Sequence, residues 1–288
     1  MSKLNISISS DSCINAIYFG LMLSGYEYSD MGKPDAALEL SSQIRSHPGL
    51  DNAKRYFKHA RQRTCEPYPF WPRAALLESA THFIDARRFK FDKYCDYVNG
   101  LPNLTEEERS GDFFSWVKDF PKYINEVKAY SFFQEVDKQI VCMVDKISKD
   151  IASEAVRIAN ILDAMSADIA PNISTLHVIL CPLKCIYSAD YFARDDTMSV
   201  IHGGFLPHSI VHEYMHLIVH PKIMKYRKAI LSLAGSRQLD IDQSYFLGHD
   251  ENGLVNAFEE HIVRKVSGLI FNDCEINIEQ LIQRELEG

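Results

Sequence analysis

The pattern of apolar and polar residues along the chain has two periodicities. Some segments show the alternation of a strand, and others show the spacing of a helix. Residues 3–9 alternate apolar and polar side chains, which predicts a short strand. Residues 13–24 form an almost continuous apolar run and predict a buried helix. From about residue 35 to residue 115 the spacing is mostly helical, with a break at the proline-rich aromatic segment 67–72. The first part of the chain is therefore predicted to be mainly helical.

The pattern that follows predicts one long helix and then two strands. Apolar residues recur at helical spacing over residues 131–168, and Pro171 ends this run. Residues 176–182 and 196–201 are short segments rich in apolar and β-branched residues, which is typical of strands. Strands thus precede the next helical segment of the chain.

Further helices are predicted after these strands. Two glycines at 203–204 turn the chain into the apolar segment 209–219, whose sequence is SIVHEYMHLIV. Pro221 is predicted to end this helix, because proline removes a backbone donor and clashes with the preceding turn. A separate helix is predicted at about 222–234. The last helix, over residues 254–271, carries apolar residues at helical spacing.

Together these elements predict an α+β fold that is mostly helical, with a small mixed sheet beside the helix of residues 209–219. At 288 residues the chain can form one large domain or two modest ones. We divide it into a mainly helical N-terminal region, residues 1–115, and a second region, residues 116–288. The second region contains both strands and the two apolar helices that follow them.

Composition narrows the kinds of partner and compartment. The net charge of −8 argues against nucleic acid, because binding phosphates requires a basic surface. The apolar run 13–23 is too short to span a bilayer, lies behind Asp11 and is followed by no cleavage site. Seven scattered cysteines do not form the paired pattern of a disulfide framework. We therefore expect a cytoplasmic protein with no membrane partner.

The apolar segment 209–219 contains the motif His-Glu-x-x-His, formed by His212, Glu213 and His216. Residues four apart lie on the same face of a helix, so both imidazoles can bind one Zn²⁺ ion. Glu213 can then accept a proton from the attacking water. The alternative is a helix whose histidines only form hydrogen bonds, but three buried polar side chains would then need other partners.

A third histidine, His220, continues the four-residue spacing. A straight helix separates His212 from His220 by about 12 Å, which is too far for two bonds of about 2 Å to one ion. His220 is instead expected near the C-terminus of the helix, where a cation is favoured. The metzincin pattern requires glycine and histidine where this chain has Val219 and Lys222, so it is excluded.

A carboxylate from the helix of residues 254–271 can complete the metal site. Glu259 and Glu260 lie in a mostly apolar part of this helix, and a buried carboxylate needs a partner such as a metal ion. Arg264 follows Glu260 by four residues and can pair with either carboxylate. From the residues alone, both glutamates are candidates for the third ligand.

At these residues the chain resembles the gluzincins, the thermolysin-like clan in which a glutamate from a later helix completes the His-Glu-x-x-His site. HEYMHLIVHP and FEEHIVRKV are similar to two segments of a largely uncharacterised bacterial gluzincin-like family, H-E-x-x-H-x-x-x-N-P and N-E-x-x-V-R. The resemblance covers residues 174–271. It implies that His212, His216 and Glu260 bind zinc and that Glu213 is the general base.

The chain departs from the pattern of that family at two positions. His220 stands where the family usually has asparagine before proline, and Glu259 stands where asparagine commonly precedes the ligand. Glu259 therefore remains the alternative third ligand.

Peptide hydrolysis also requires a donor for the developing oxyanion and an edge at which the peptide can bind. Tyr245 is the preferred donor, because the resemblance implies a tyrosine between the two ligand helices, and His249 is the alternative. The strand of residues 196–201 is predicted to be the edge that pairs with an extended peptide.

The favoured hypothesis is a zinc metallopeptidase that acts on a peptide or protein substrate. One alternative keeps the gluzincin fold and the zinc ion without peptidase activity, as a hydrolase of other substrates or as a binding protein. Another is a regulatory module in which residues 35–115 bind a partner and the motif is merely structural. Structural zinc sites usually have four closed ligands including cysteine, which makes the last alternative the weakest. The oligomeric state is not predicted.

Overall fold

The computed structural model describes residues 4–26, 32–61, 73–85, 88–101, 111–166, 173–233, 251–271 and 276–287. The predicted fold class is confirmed, since the described residues form an α+β fold that is mostly helical and has a small mixed sheet. The aromatic segment 67–72 lies outside the described residues. No helix in the described ranges is both long enough and apolar enough to cross a membrane.

The elements follow one another in this order: β1 (Asn5–Ser9), α1 (Ser12–Leu23), α2 (Asp35–Ser46), α3 (Asp51–Arg61), α4 (Arg73–Thr81), β2 (Ile84–Asp85), β3 (Arg88–Phe89), α5 (Phe91–Gly100), α6 (Gly111–Lys118), α7 (Phe120–Lys128), α8 (Ser131–Asp150), α9 (Ala152–Ser166), β4 (Thr175–Leu180), β5 (Ala189–Arg194), β6 (Thr197–His202), α10 (Pro207–Leu233), α11 (Glu251–Ile270) and α12 (Ile278–Glu287). The strands predicted at 3–9, 176–182 and 196–201 are confirmed as β1, β4 and β6, and the buried helix predicted at 13–24 is confirmed as α1.

The central sheet has the strand order β1-β4-β6-β5. Strands β1, β4 and β6 are parallel, whereas β5 is antiparallel to β6. Ile8, Val178, Val200 and Tyr191 are in register across the four strands and therefore share one face. Helix α10 packs against β5 and β6, while α8 and α9 contact β1. The sheet thus supports the helix that carries the motif.

Strand β5 was not predicted, and it changes which strand lies at the edge of the sheet. Because β5 pairs with β6 along its whole length, residues 196–201 are covered on both sides by β4 and β5. The prediction that residues 196–201 form the open edge is therefore wrong. Among the described strands, β5 is the edge on this side of the sheet.

The long helix predicted over residues 131–168 is divided into α8 and α9. Ile151 leaves the helical region of backbone space, with φ −105° and ψ 8°. Both helices contact β1, but the turn at Ile151 lets α8 pack on α1 and α9 pack on α10. A uniform helical periodicity does not reveal such a turn, because both halves bury an apolar stripe.

Helix α10 continues through Pro221 to Leu233, so the predicted end at Pro221 is wrong and the predicted helix 222–234 is its continuation. Proline inside a helix costs about 3 kcal/mol. Burial of an Ile or Val side chain stabilises by about 1.5–3 kcal/mol, and α10 buries Ile218 and Val219 before Pro221 and Ile223 and Ile230 after it. Their packing outweighs the cost of the proline. The helix predicted at 254–271 is confirmed as α11.

A buried ion cluster anchors β5 to the N-terminal helices. The Lys184 ammonium, 1 % exposed, donates to the Tyr18 hydroxyl at 2.8 Å, to Glu78 Oε1 at 3.1 Å and to Asp190 Oδ2. Burial raises the pKa of Glu78 to about 8, although Lys184 lowers it. Burial lowers the pKa of Lys184, but Asp190 and Glu78 more than reverse this and hold it above its usual value. The cluster joins four parts of the fold. These are α1, α4, strand β5 and the segment that follows β4.

The division into residues 1–115 and 116–288 stays a prediction. Strand β1, from the first of these regions, pairs with β4 from the second. Helix α1 contributes to the same apolar core as α10 and α11.

Gly203 allows the chain to pass closely beside the segment after β4. A Cβ atom at Gly203 would lie 2.3 Å from the Lys184 carbonyl oxygen and 2.8 Å from backbone atoms of Cys185. We expect Gly203→Ala to lower the free energy of unfolding by about 1–3 kcal/mol, because backbone atoms must move apart. Urea unfolding measures this loss. Gly204→Ala is the control, since its Cβ would lie 3.7 Å from an Ile186 side-chain atom. Equal losses in both variants would contradict this interpretation.

Candidate metal centre

Helices α10 and α11 pack side by side and bring the motif histidines to Glu260. His212 Nε2 lies 3.2 Å from Glu260 Oε1, and His216 Nε2 lies 3.4 Å from Glu260 Oε2. The ligand atoms of His212, His216 and Glu260 all lie within 4.8 Å of one another. The structure therefore brings together the three residues that the sequence analysis selected as ligands.

This donor set fits a zinc ion. In a tetrahedral site with bonds of about 2.0–2.1 Å, two ligand atoms lie roughly 3.3 Å apart. The two histidine nitrogens lie at distances close to that separation, 3.2 Å and 3.4 Å, each from a different oxygen of Glu260. Two imidazoles and one carboxylate also form the donor set of catalytic zinc sites, which keep a further position open.

Glu213 follows His212 on α10 and is close enough to both imidazoles to be influenced by them. Withdrawal of its carboxyl group from water raises its pKa to about 7. His212 and His216 lower this pKa, while the Glu260 carboxylate raises it further. Glu213 thus lies beside the donor set, where its carboxyl group keeps a proton more readily than it would in water.

Glu259 and Glu260 contact different ring nitrogens of His216. Glu259 contacts Nδ1, whereas Glu260 faces Nε2. Glu259 Oε1 is 2.9 Å from His216 Nδ1, and Glu259 Oε2 is 2.7 Å from His220 Nδ1. Residues 259 and 260 are neighbours on α11, yet only Glu260 contacts the Nε2 atoms of both motif histidines. The geometry favours Glu260 as the third ligand and gives Glu259 a different position.

The sequence analysis expected His220 near the C-terminus of a helix, and this prediction is wrong. His220 lies near the middle of α10, because this helix continues to Leu233. The side chain of His220 is 48 % exposed and pairs with Glu259. The sequence analysis also predicted that His220 does not bind the same ion as the two motif histidines. The donor group agrees with this, because it contains His212, His216 and Glu260 but not His220.

The charges of the site depend on these contacts. Burial lowers the pKa of His216, but hydrogen bonds to Glu259 and Glu260 raise it to about 10. Burial raises the pKa of Glu260, but the two motif histidines hold it well below its usual range. Arg264 Nε lies 3.0 Å from Glu260 Oε1, which confirms the predicted pairing with this carboxylate.

Tyr191 was missed in the sequence and lies beside the donor set. Its ring stacks on the His216 imidazole, with centroids 5.6 Å apart and an angle of 14° between the planes. Desolvation raises its pKa, and the carboxylates of Glu259 and Glu213 raise it further. Only a weak signal was present, because Asp195-Asp196 could form the turn of a hairpin, but residues 189–194 do not alternate apolar and polar side chains.

Tyr245 and His249, the two predicted oxyanion donors, lie outside the described residues and stay predictions. Comparison of the chain with protein-family models, with curated proteins and with solved structures found no match. The resemblance to gluzincins therefore stays a prediction that rests on the two sequence segments.

Proposed function

We propose that the protein is a zinc-dependent metallopeptidase. The observation that carries the proposal is the convergence of His212, His216 and Glu260, with Glu213 next to the first of them. The residue types, their spacing on α10 and the distances to Glu260 together fit a catalytic zinc site better than a structural one. We also propose a cytoplasmic location.

In this proposal each residue of the centre has one role. His212 and His216 bind zinc through Nε2, and Glu260 binds it through its carboxylate. A bound zinc ion supplies Lewis acidity, which polarises a peptide carbonyl and makes water more acidic. The Glu213 carboxylate accepts a proton from the attacking water and passes it to the nitrogen of the leaving amine. Arg264 donates to Glu260 Oε1, the oxygen that also faces His212 Nε2, and so helps to hold the carboxylate in place.

In this proposal the substrate binds along β5, which contacts α10 and is the edge on this side of the sheet among the described strands. An extended peptide can continue the sheet by pairing with the free backbone groups of an edge strand. Tyr191 projects from β5 onto His216, so a peptide bound at this edge passes next to the donor set. This placement replaces the strand of residues 196–201, which is covered by β5.

Metal analysis and peptide hydrolysis test the proposal together. We expect one zinc ion per chain, cleavage of peptides in a mixed library, loss of cleavage with a chelator and recovery when zinc is added. We expect Glu260→Gln to lower zinc affinity about a hundredfold or more, because loss of an outer partner alone costs 10–100-fold.

Glu285→Gln is the matched control, since Glu285 pairs with His261 and Lys265 away from the donor set. It should retain zinc and hydrolysis. A zinc-loaded protein that cleaves no peptide would exclude the peptidase function. A protein that binds no zinc would exclude the metal centre as well.

A further inference from the structure

The two positions at which this chain departs from the gluzincin-like pattern contact each other. His220 and Glu259 replace two asparagines, and their side chains lie 2.7 Å apart, from His220 Nδ1 to Glu259 Oε2. The other oxygen of Glu259 lies 2.9 Å from His216 Nδ1. Glu259, at 6 % exposure, is thus a buried carboxylate held between two imidazoles.

His216 consequently has a carboxylate at each ring nitrogen. Its Nε2 faces Glu260 at 3.4 Å, and its Nδ1 faces Glu259 at 2.9 Å. With a metal ion at Nε2, Nδ1 would carry the ring proton, and this N–H would donate a hydrogen bond to Glu259 Oε1. A carboxylate in this position fixes the tautomer and the ring orientation of a histidine ligand and makes the ligand more basic.

His220 in turn determines where the Glu259 carboxylate points. It lies four residues after His216 on the same face of α10, so Glu259 can contact both rings at once. With Oε1 on His216 and Oε2 on His220, both oxygens are directed to Nδ1 atoms and away from the Nε2 atoms that face Glu260. This arrangement explains how two adjacent glutamates on α11 take different roles.

We propose that Glu259 and His220 form a positioning pair that strengthens zinc binding by His216 and keeps Glu259 out of the ligand set. Glu259 acts on the metal through His216, and His220 acts through Glu259. The inference rests on the zinc centre of the proposed function, but it concerns metal affinity and ligand geometry and does not depend on what the centre hydrolyses.

The zinc dissociation constants of Glu259→Ala, Glu259→Gln, His220→Ala and the double alanine variant test the pair, measured by competition with a chromogenic chelator. We expect Glu259→Ala to raise the constant about 10–100-fold, the range typical of outer partners of metal ligands. Glu259→Gln should restore part of the affinity, because an amide oxygen still accepts from His216 Nδ1. His220→Ala should weaken binding by about tenfold or less.

The double variant separates a chain of contacts from two independent effects. Because His220 acts through Glu259, the double variant should bind zinc as Glu259→Ala does, without a further loss. The absorption spectrum of the cobalt-substituted protein should change in His220→Ala, because Glu259 is then free to turn toward the ion. Multiplied losses in the double variant would contradict the pair.

His261→Asn is the matched control, because His261 is not in the donor group and its Nε2 lies 2.9 Å from Glu285 Oε2 on α12, in a similar histidine–glutamate contact. It should leave the zinc dissociation constant and the cobalt spectrum unchanged. Unfolding of the metal-free variants shows any structural cost separately. An unchanged zinc dissociation constant in Glu259→Ala would overturn the inference.

The two proposals can fail separately. A zinc-loaded wild-type protein that cleaves no peptide overturns the peptidase function and leaves the positioning pair standing. Peptide hydrolysis by the wild type, together with an unchanged zinc dissociation constant in Glu259→Ala, overturns only the positioning pair.

Discussion

Glu213→Gln is expected to retain zinc and to lose peptide hydrolysis. Glutamine keeps the size of the side chain but cannot accept a proton from the attacking water. General-base catalysis contributes about 10²–10⁴-fold, so the rate should fall by about a thousandfold. The ligand atoms of His212, His216 and Glu260 are unchanged, and zinc content should therefore remain at one ion per chain.

This comparison needs both measurements on the same preparation. Zinc content by elemental analysis shows whether the centre is intact, and turnover of a cleaved library peptide shows whether the base is required. Glu285→Gln, which removes a carboxylate on α12, should keep both properties. If Glu213→Gln hydrolyses the peptide at the wild-type rate, Glu213 is not the general base.

Lys184→Met is expected to cost about 3–5 kcal/mol of unfolding free energy, the range for breaking a buried ion pair from one side. The methionine fills similar space but leaves Glu78 and Asp190 without the ammonium group that they share. Urea unfolding at pH 7 measures the loss. Lys265→Met is the control, since its pair with Glu285 is partly exposed and should contribute less than about 1 kcal/mol.

The pH dependence identifies the cause of this loss. In the folded protein the pKa of Glu78 is about 8, above its ordinary value of 4.5, so folding favours the protonated carboxyl group. The stability that this group contributes is present below pH 4.5 and is lost as the pH rises through 8. Without Lys184 the charged form is still less favourable, so the deficit should be larger at pH 9 than at pH 5. An equal deficit at both pH values would show that Glu78 is not the cause of the loss.

The sequence was sufficient for the part of the site that lies on one helix. The spacing of His212 and His216 fixes their common face once a helix is assumed. The spacing of residues could not decide between Glu259 and Glu260 as the third ligand. Adjacent residues on a helix point in directions about 100° apart, so either one can face the histidines. The choice depends on how α11 is rotated against α10, and only the packing of the two helices determines that.

Tertiary packing also explains the features of the fold that were predicted wrongly or missed. Pro221 is a strong local signal for a helix end, but the buried residues around it keep α10 continuous. Strand β5 has the sequence ADYFAR, in which apolar and polar residues do not alternate clearly. In the structure only Phe192 of this strand is buried. The segment becomes a strand by pairing with β6 and by the contacts of Asp190 and Tyr191.

The buried ion cluster has a consequence for truncated forms of the protein. Lys184 and Asp190 lie more than 100 residues after Tyr18 and Glu78 in the sequence, with separations of 166 for Lys184–Tyr18 and 106 for Lys184–Glu78. A fragment starting at residue 116 would contain the ammonium group and Asp190 but lack Glu78, Tyr18 and the partner strand of β4. Half of a charge network would then be exposed beside an unpaired sheet edge, which favours aggregation. Isolating the candidate metal centre by deletion would remove the residues that hold its neighbouring strand in place.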